Sequence, residues 1–165
     1  MKIIGIVFIF VSLSAAGAII GENYLSVLKS IKRAENFLNI LLIGLEGVRL
    51  SVNEMLESAA KSGDEETIKF VNVLKGGFRC GSLAASEQDA LKSNFCKDET
   101  AILSLLEAIS ILGKCSAEEQ IDKIKYCREN LRKRYAAAFP VYSQKAKLSR
   151  SSGILAGLLA AVILI

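Results

Sequence analysis

Two uncharged apolar stretches bracket this chain, from Ile3 to Ile20 and from Ser151 to Ile165 (SSGILAGLLAAVILI), and every acidic residue lies between them. A helix that crosses the hydrocarbon layer needs about 20 mostly apolar residues, with roughly 17 as the lower bound. The first stretch meets that bound. The second is shorter and spans if its helix begins near Leu148, with tilt or local thinning of the bilayer. Each is apolar all round rather than along one stripe, unlike a helix on the surface of a soluble domain. The pattern predicts an all-α protein with a transmembrane helix at each end: residues 1–21, a cytoplasmic helical bundle over 22–148, and residues 149–165.

Within the middle, apolar positions recur at helical spacing. From Tyr24 they fall at Leu28, Ile31, Leu38, Leu41, Leu42 and Leu45, which predicts a helix continuing the first span and loosening around Gly44 and Gly47. Ser51 with Glu54 three residues on reads as a capping box, opening a second helix that runs to Ser62 and stops at Gly63. Asp64 to Lys75 reads as a third, with Ile68, Val71 and Leu74 on one face and Gly76-Gly77 as its stop. A short helix is predicted over Ser86 to Phe95, and a strongly apolar one over Thr100 to Leu112, closed by Gly113. Ser116, with Glu119 following, caps the last helix, whose seam runs through Ile121, Ile124, Arg128, Leu131, Tyr135, Ala138 and Tyr142. The only proline, Pro140, is expected to kink it.

Charge decides between membrane topologies, because insertion reads Lys and Arg near the ends of a span. Lys29, Lys32 and Arg33 follow the first span against Lys2 before it, and Lys145, Lys147 and Arg150 precede the last. Both ends favour a cytoplasmic middle. The alternative is an exported protein with a signal cleaved near Ala16-Gly17-Ala18, a lipid-anchor signal at Ser151-Ser152-Gly153, and two disulfides among Cys80, Cys96, Cys115 and Cys127. In a reducing cytoplasm the same thiols are small buried hydrophobes. The net charge of +4 lies mostly near the last span, where anionic lipid explains it without nucleic acid.

The chain has no histidine, which removes histidine-based general-base catalysis and histidine metal ligation. Gly76-Gly77 with Gly81 lacks the lysine and spacing of a phosphate cradle. Glu46, Glu54 and Glu57 have no nucleophile or base spaced to make a catalytic pair with them. No catalytic residue, cofactor or metal site is expected. Arg132-Lys133-Arg134 points its side chains in several directions around a helix and suits a solvated face or an acidic partner. Gly17-x-x-x-Gly21 and Gly153-x-x-x-Gly157 have the spacing that lets membrane helices approach closely, within one chain or between copies in self-association.

Three segments carry a resemblance along nearly the full length. LGKCSAEEQ at Leu112-Gly113-Lys114 looks like an L-G-x-S-D turn followed by a Gln. SRSSGILAGLLAAVILI looks like an S-L-G-x-L-A-G-L-L ending, matched at Gly153, Leu155, Ala156, Gly157, Leu158 and Leu159. RLSVNEML from Arg49 to Leu56 is similar to a P-L-x-E-A-L segment, with Val52, Glu54 and Leu56 in place. Together with the order of elements, these resemble the stage III sporulation protein AB family of spore-forming bacteria. The departures are Ser51 for proline, Ser116 for aspartate, and Pro140 within the last helix. A related segment occurs in the cytoplasmic domains of type II secretion F platform proteins. The resemblance implies a non-enzymatic component of the channel complex between mother cell and forespore, on the mother-cell side in the outer forespore membrane. Its partners would be a stage III sporulation ATPase and other membrane subunits of the complex. Glu54, Lys114, Arg128 and Arg132 are the expected partner contacts.

Overall fold

An apolar stripe repeating at helical spacing must be covered, and the chain covers its stripes with one another. The computed structural model of the protein describes residues 2–47, 50–80 and 95–164, with side chains over 5–47, 50–76 and 95–163. It contains the helices α1 (Lys2–Glu46), α2 (Val52–Ser62), α3 (Glu65–Cys80), α4 (Glu99–Ser110) and α5 (Ala117–Leu164). No strand occurs among the described residues, so the fold is all-α as the periodicity requires. Contacts divide the chain into a span unit, Met1–Leu28 with Ala137–Ile165, and a helical body, Lys29–Ala136.

In the body, α1 buries Ile31, Ala34, Phe37, Leu38, Leu41, Leu42 and Leu45. Also buried in the body are Met55, Leu56 and Ala59 of α2, Phe70, Val71 and Leu74 of α3, Ile102, Leu105 and Ile109 of α4, and Ile124, Cys127 and Leu131 of α5. Phe37, Phe70 and Phe95 form an aromatic cluster, with Phe70 stacked on Phe95 at 4.2 Å between centroids and Phe37 edge-on to Phe70 at 5.3 Å.

Side-chain caps set the helix starts. Ser51 Oγ accepts from Glu54 N (3.4 Å) while Glu54 Oε2 accepts from Ser51 N (2.8 Å), the expected capping box. Asp98 caps α4 through Oδ1, which accepts from Ala101 N at 3.0 Å. Ser116 and Glu119 make the same reciprocal pair at the start of α5.

Several boundaries differ from the sequence expectation, each for a packing reason. α1 does not loosen at Gly44 but runs to Glu46. A β-carbon at Gly44 would meet Met55 Cγ at 2.6 Å, so this glycine lets α2 close against α1. α3 passes through Gly76-Gly77 to Cys80. Glycine costs about 1 kcal/mol in a helix interior and need not end it. The buried face of α3 is Thr67, Phe70, Val71 and Leu74 and not Ile68, because the helix turns to place Phe70 in the aromatic cluster. α4 ends at Ser110, and Leu112 is buried in the turn beyond it, where Gly113 takes φ 73°. The α5 seam passes through Gln120 and Cys127 rather than Ile121 and Arg128. As expected, Pro140 lies inside α5 and does not end it. The helix expected over Ser86 to Phe95 lies outside the described residues except for Phe95, which is buried.

Among the described residues two helices are long and apolar enough to cross a membrane, one near each end, and the span unit exposes apolar side chains such as Phe8, Leu155 and Val162 to the surroundings. The core assignment is checked within one helix. Leu105→Ala, at a fully buried position, is expected to cost about 2–5 kcal/mol. Leu103→Ala, whose side chain is 67% exposed, is expected to cost less than about 0.5 kcal/mol. Urea unfolding of the full chain in mild detergent, followed by circular dichroism, measures both.

Candidate docking surface

Two segments distant in sequence, the turn after α4 and the start of α2, meet at one end of the body. A β-carbon built on Gly113 would lie 3.7 Å from Val52 Cγ2. The turn is built by its own residues. Leu112 is buried, Gly113 supplies the left-handed backbone, and Gln120 Oε1 accepts from Gly113 N (3.2 Å) while Gln120 Nε2 donates to Cys115 O (2.7 Å). Leu50 N donates to Gly44 O at 3.1 Å, and Lys125 pairs with Glu46 at 2.6 Å, tying α5 to the end of α1. Between α1 and α2 opens a groove of about 200 Å³ lined by Ile40, Ile43, Gly44, Leu50, Met55 and Ser58. Ile43 at its edge is 63% exposed.

The expected partner contacts are distributed over this body. Glu54 is exposed but engaged in the capping box, where the backbone N–H and then the hydroxyl of Ser51 hold its carboxyl below the usual range. Lys114 stands exposed in the turn, close to the Gly113 contact with Val52. Arg128 donates through Nη1 to Asn39 Oδ1 at 2.9 Å and bridges α5 to α1. Arg132 is exposed, with Glu129 at 4.0 Å, and lies about 22 Å of helix axis beyond the start of α5. Glu54 and Lys114 therefore belong to one end, and Arg128 and Arg132 to the flank of α5. Ile43 and the groove were not anticipated. The signal was present in ILLIGLE, whose apolar residues exceed what one buried stripe can hold.

Charged groups inside the body are paired. Arg33 donates from Nε to Asp64 Oδ2 (2.7 Å), pairs with Glu66, and donates from Nη1 to Phe95 O (3.1 Å). Asp98 receives Arg134 Nε and Nη2, the latter at 2.8 Å. Burial raises the Asp98 carboxyl, but Arg134 and the cap N–H of Ala101 outweigh it and hold the group below the usual carboxylate range. Cys96, Cys115 and Cys127 are free thiols, the first and last buried. Burial, then the charge of Glu107, pushes Cys127 up to about 11.

In the span unit Gly17, Gly21, Gly153 and Gly157 face the opposite helix. β-carbons built on Gly17 and Gly153 would each lie 2.8 Å from the other's Cα. Ser149 Oγ donates to Gly17 O at 3.1 Å. Gly21 lies against Ala146 and Arg150, and Gly157 against Phe10. Small residues let the two backbones touch, which side chains of any size would prevent.

The model of the stage III sporulation protein AB family matches residues 2–165. The chain belongs to this family. Neither a curated protein nor a solved structure matches it. For this member of the stage III sporulation protein AB family, the turn and the α2 start that carry the family resemblance are thus neighbours in space, and Leu56, Gly113 and Gln120 act there in packing, turn geometry and hydrogen bonding.

Two outcomes test these assignments. Gly17→Leu is expected to lower the thermal midpoint in micelles by several degrees, because its side chain would strike Gly153, while Gly5→Leu, with nothing within 4 Å, leaves the midpoint unchanged. Because the folded Asp98 carboxyl is depressed, its stabilisation is present above the unfolded value of about 3.9 and lost as pH falls through the lower folded value. Arg134→Gln leaves burial unopposed by that partner and is expected to move the acid-unfolding midpoint upward by on the order of one pH unit, read by circular dichroism.

Proposed function

We propose that this protein is a non-enzymatic membrane component of the sporulation channel complex between mother cell and forespore, whose cytoplasmic body docks a secretion-type ATPase. It would reside in the outer forespore membrane on the mother-cell side, together with other membrane subunits. The observation that carries this reading is the meeting of Gly113 with Val52. It gathers the two family-like segments, exposed Lys114 and the Ile43 groove at one end of a helical body. A turn that shapes backbone and a cap that spends its carboxylate on Ser51 describe a docking scaffold rather than a reaction centre.

Lys145, Lys147 and Arg150 before the last span and Lys29, Lys32 and Arg33 after the first support the cytoplasmic placement of the body. The exported alternative is not favoured. Its two disulfides would need all four cysteines, and Cys96, Cys115 and Cys127 are unpaired.

Co-purification of the detergent-solubilised full chain with the stage III sporulation ATPase is the direct test. Ile43→Asp with Lys114→Glu is expected to weaken retention on the order of tenfold, the loss of one interface hot spot, while Leu103→Asp, at an exposed position of α4, leaves it intact. Equal retention by both variants would remove this end of the body as the docking surface. Sidedness is read with an impermeant maleimide in a Cys80→Ser background. Exposed Cys115 is expected to react only after permeabilisation, and buried Cys96 and Cys127 only after denaturant.

A further inference from the structure

Three cations of the span unit sit within one and a half turns of α5. Lys145, Lys147 and Arg150 are exposed and occupy about 7.5 Å of the α5 axis, directly before the uncharged stretch. At 100° per residue, Lys145 and Arg150 fall on opposite flanks of the seam that carries Ala146 and Gly153, with Lys147 farther round. The charges spread over about 200° of the helix circumference instead of converging on a pocket. On α1 the same level carries Gly21, where an added β-carbon would meet Arg150 Cγ at 3.0 Å, and the carboxylate Glu22. One turn away Tyr24 and Tyr142 pair at 6.2 Å between ring centroids, with Lys145 Nζ 5.9 Å from each.

We infer that this collar binds the phosphate headgroups of anionic phospholipids in the leaflet where the two spans end. A band of cations within about 7.5 Å along the helix axis matches the layer of lipid phosphates. The tyrosine pair is amphipathic and suits the headgroup level. Leu148, between the cations, is 62% exposed, and Ile154 and Leu155 beyond it are exposed too. A soluble polyanion would leave those side chains in water, whereas a lipid covers them with its acyl chains.

The chain contains no tryptophan, so Tyr142→Trp supplies a single reporter at the collar. The full chain is placed in phosphatidylcholine nanodiscs containing a minor fraction of either phosphatidylglycerol or phosphatidylcholine nitroxide-labelled near the headgroup. Labelled phosphatidylglycerol is expected to be enriched at the reporter on the order of tenfold over labelled phosphatidylcholine, given roughly fivefold per cation and one opposing carboxylate. Lys145→Gln with Lys147→Gln and Arg150→Gln should abolish the preference, and Lys61→Gln with Lys133→Gln, exposed cations of the body, should leave it. Glu22→Gln should increase it, a gain that impaired insertion cannot mimic. Equal quenching by the two lipids, or a preference that survives the triple variant, overturns the proposal. Loss of the preference on adding millimolar inorganic phosphate would make this a site for free phosphate and overturn the lipid assignment.

Discussion

Lipid offers a peptide group no hydrogen-bond partner, so each apolar end of this chain must satisfy its own backbone as helix. Much else follows from that demand. α1 and α5 are each one unbroken helix, and among the described residues α1 supplies the body's longest buried apolar ridge. The caps of α2 and α4, Ser51 and Asp98, accept from backbone N–H groups that a helix start leaves without a partner.

Glycine does two separate jobs. At Gly17 and Gly153 it removes side chains so that two backbones approach inside a membrane, where no hydrophobic force drives helices together and close packing must do so. At Gly44 it makes room for Met55. Among the described residues only Gly113 is required for its backbone angle, and there the left-handed turn lies beside the start of α2. The family resemblance at that turn therefore reports a geometry, and the docking role proposed for this end rests on the surface the geometry exposes.

Polar groups in the body follow one rule: where a charge is drawn inward it is given a partner. Asp98 is buried with Arg134, and Arg33 gathers Asp64, Glu66 and a backbone carbonyl. Glu54 and Arg128, which the family resemblance suggested as partner contacts, are engaged within the chain, with Ser51 and Asn39. Lys114 and Arg132 keep their exposure. A charged residue in a sequence does not announce whether it serves its own fold or another protein. That depends on which polar group the packing places beside it.

By itself the sequence determined the helical class, the two apolar ends, the Ser51 and Ser116 caps and the stop at Gly63, because periodicity and capping are local and depend on residues three or four apart. It did not determine which face of α3 turns inward, since Ile68 and Phe70 both satisfy a helical stripe and only the presence of Phe37 and Phe95 selects Phe70. Nor could it say that Gly76-Gly77 would be carried through a helix, that Gly44 would serve as a seat for Met55, or that the turn at Gly113 would meet Val52. Those outcomes depend on contacts between residues far apart in the chain, and only the tertiary structure decides which of several locally acceptable arrangements fills the core.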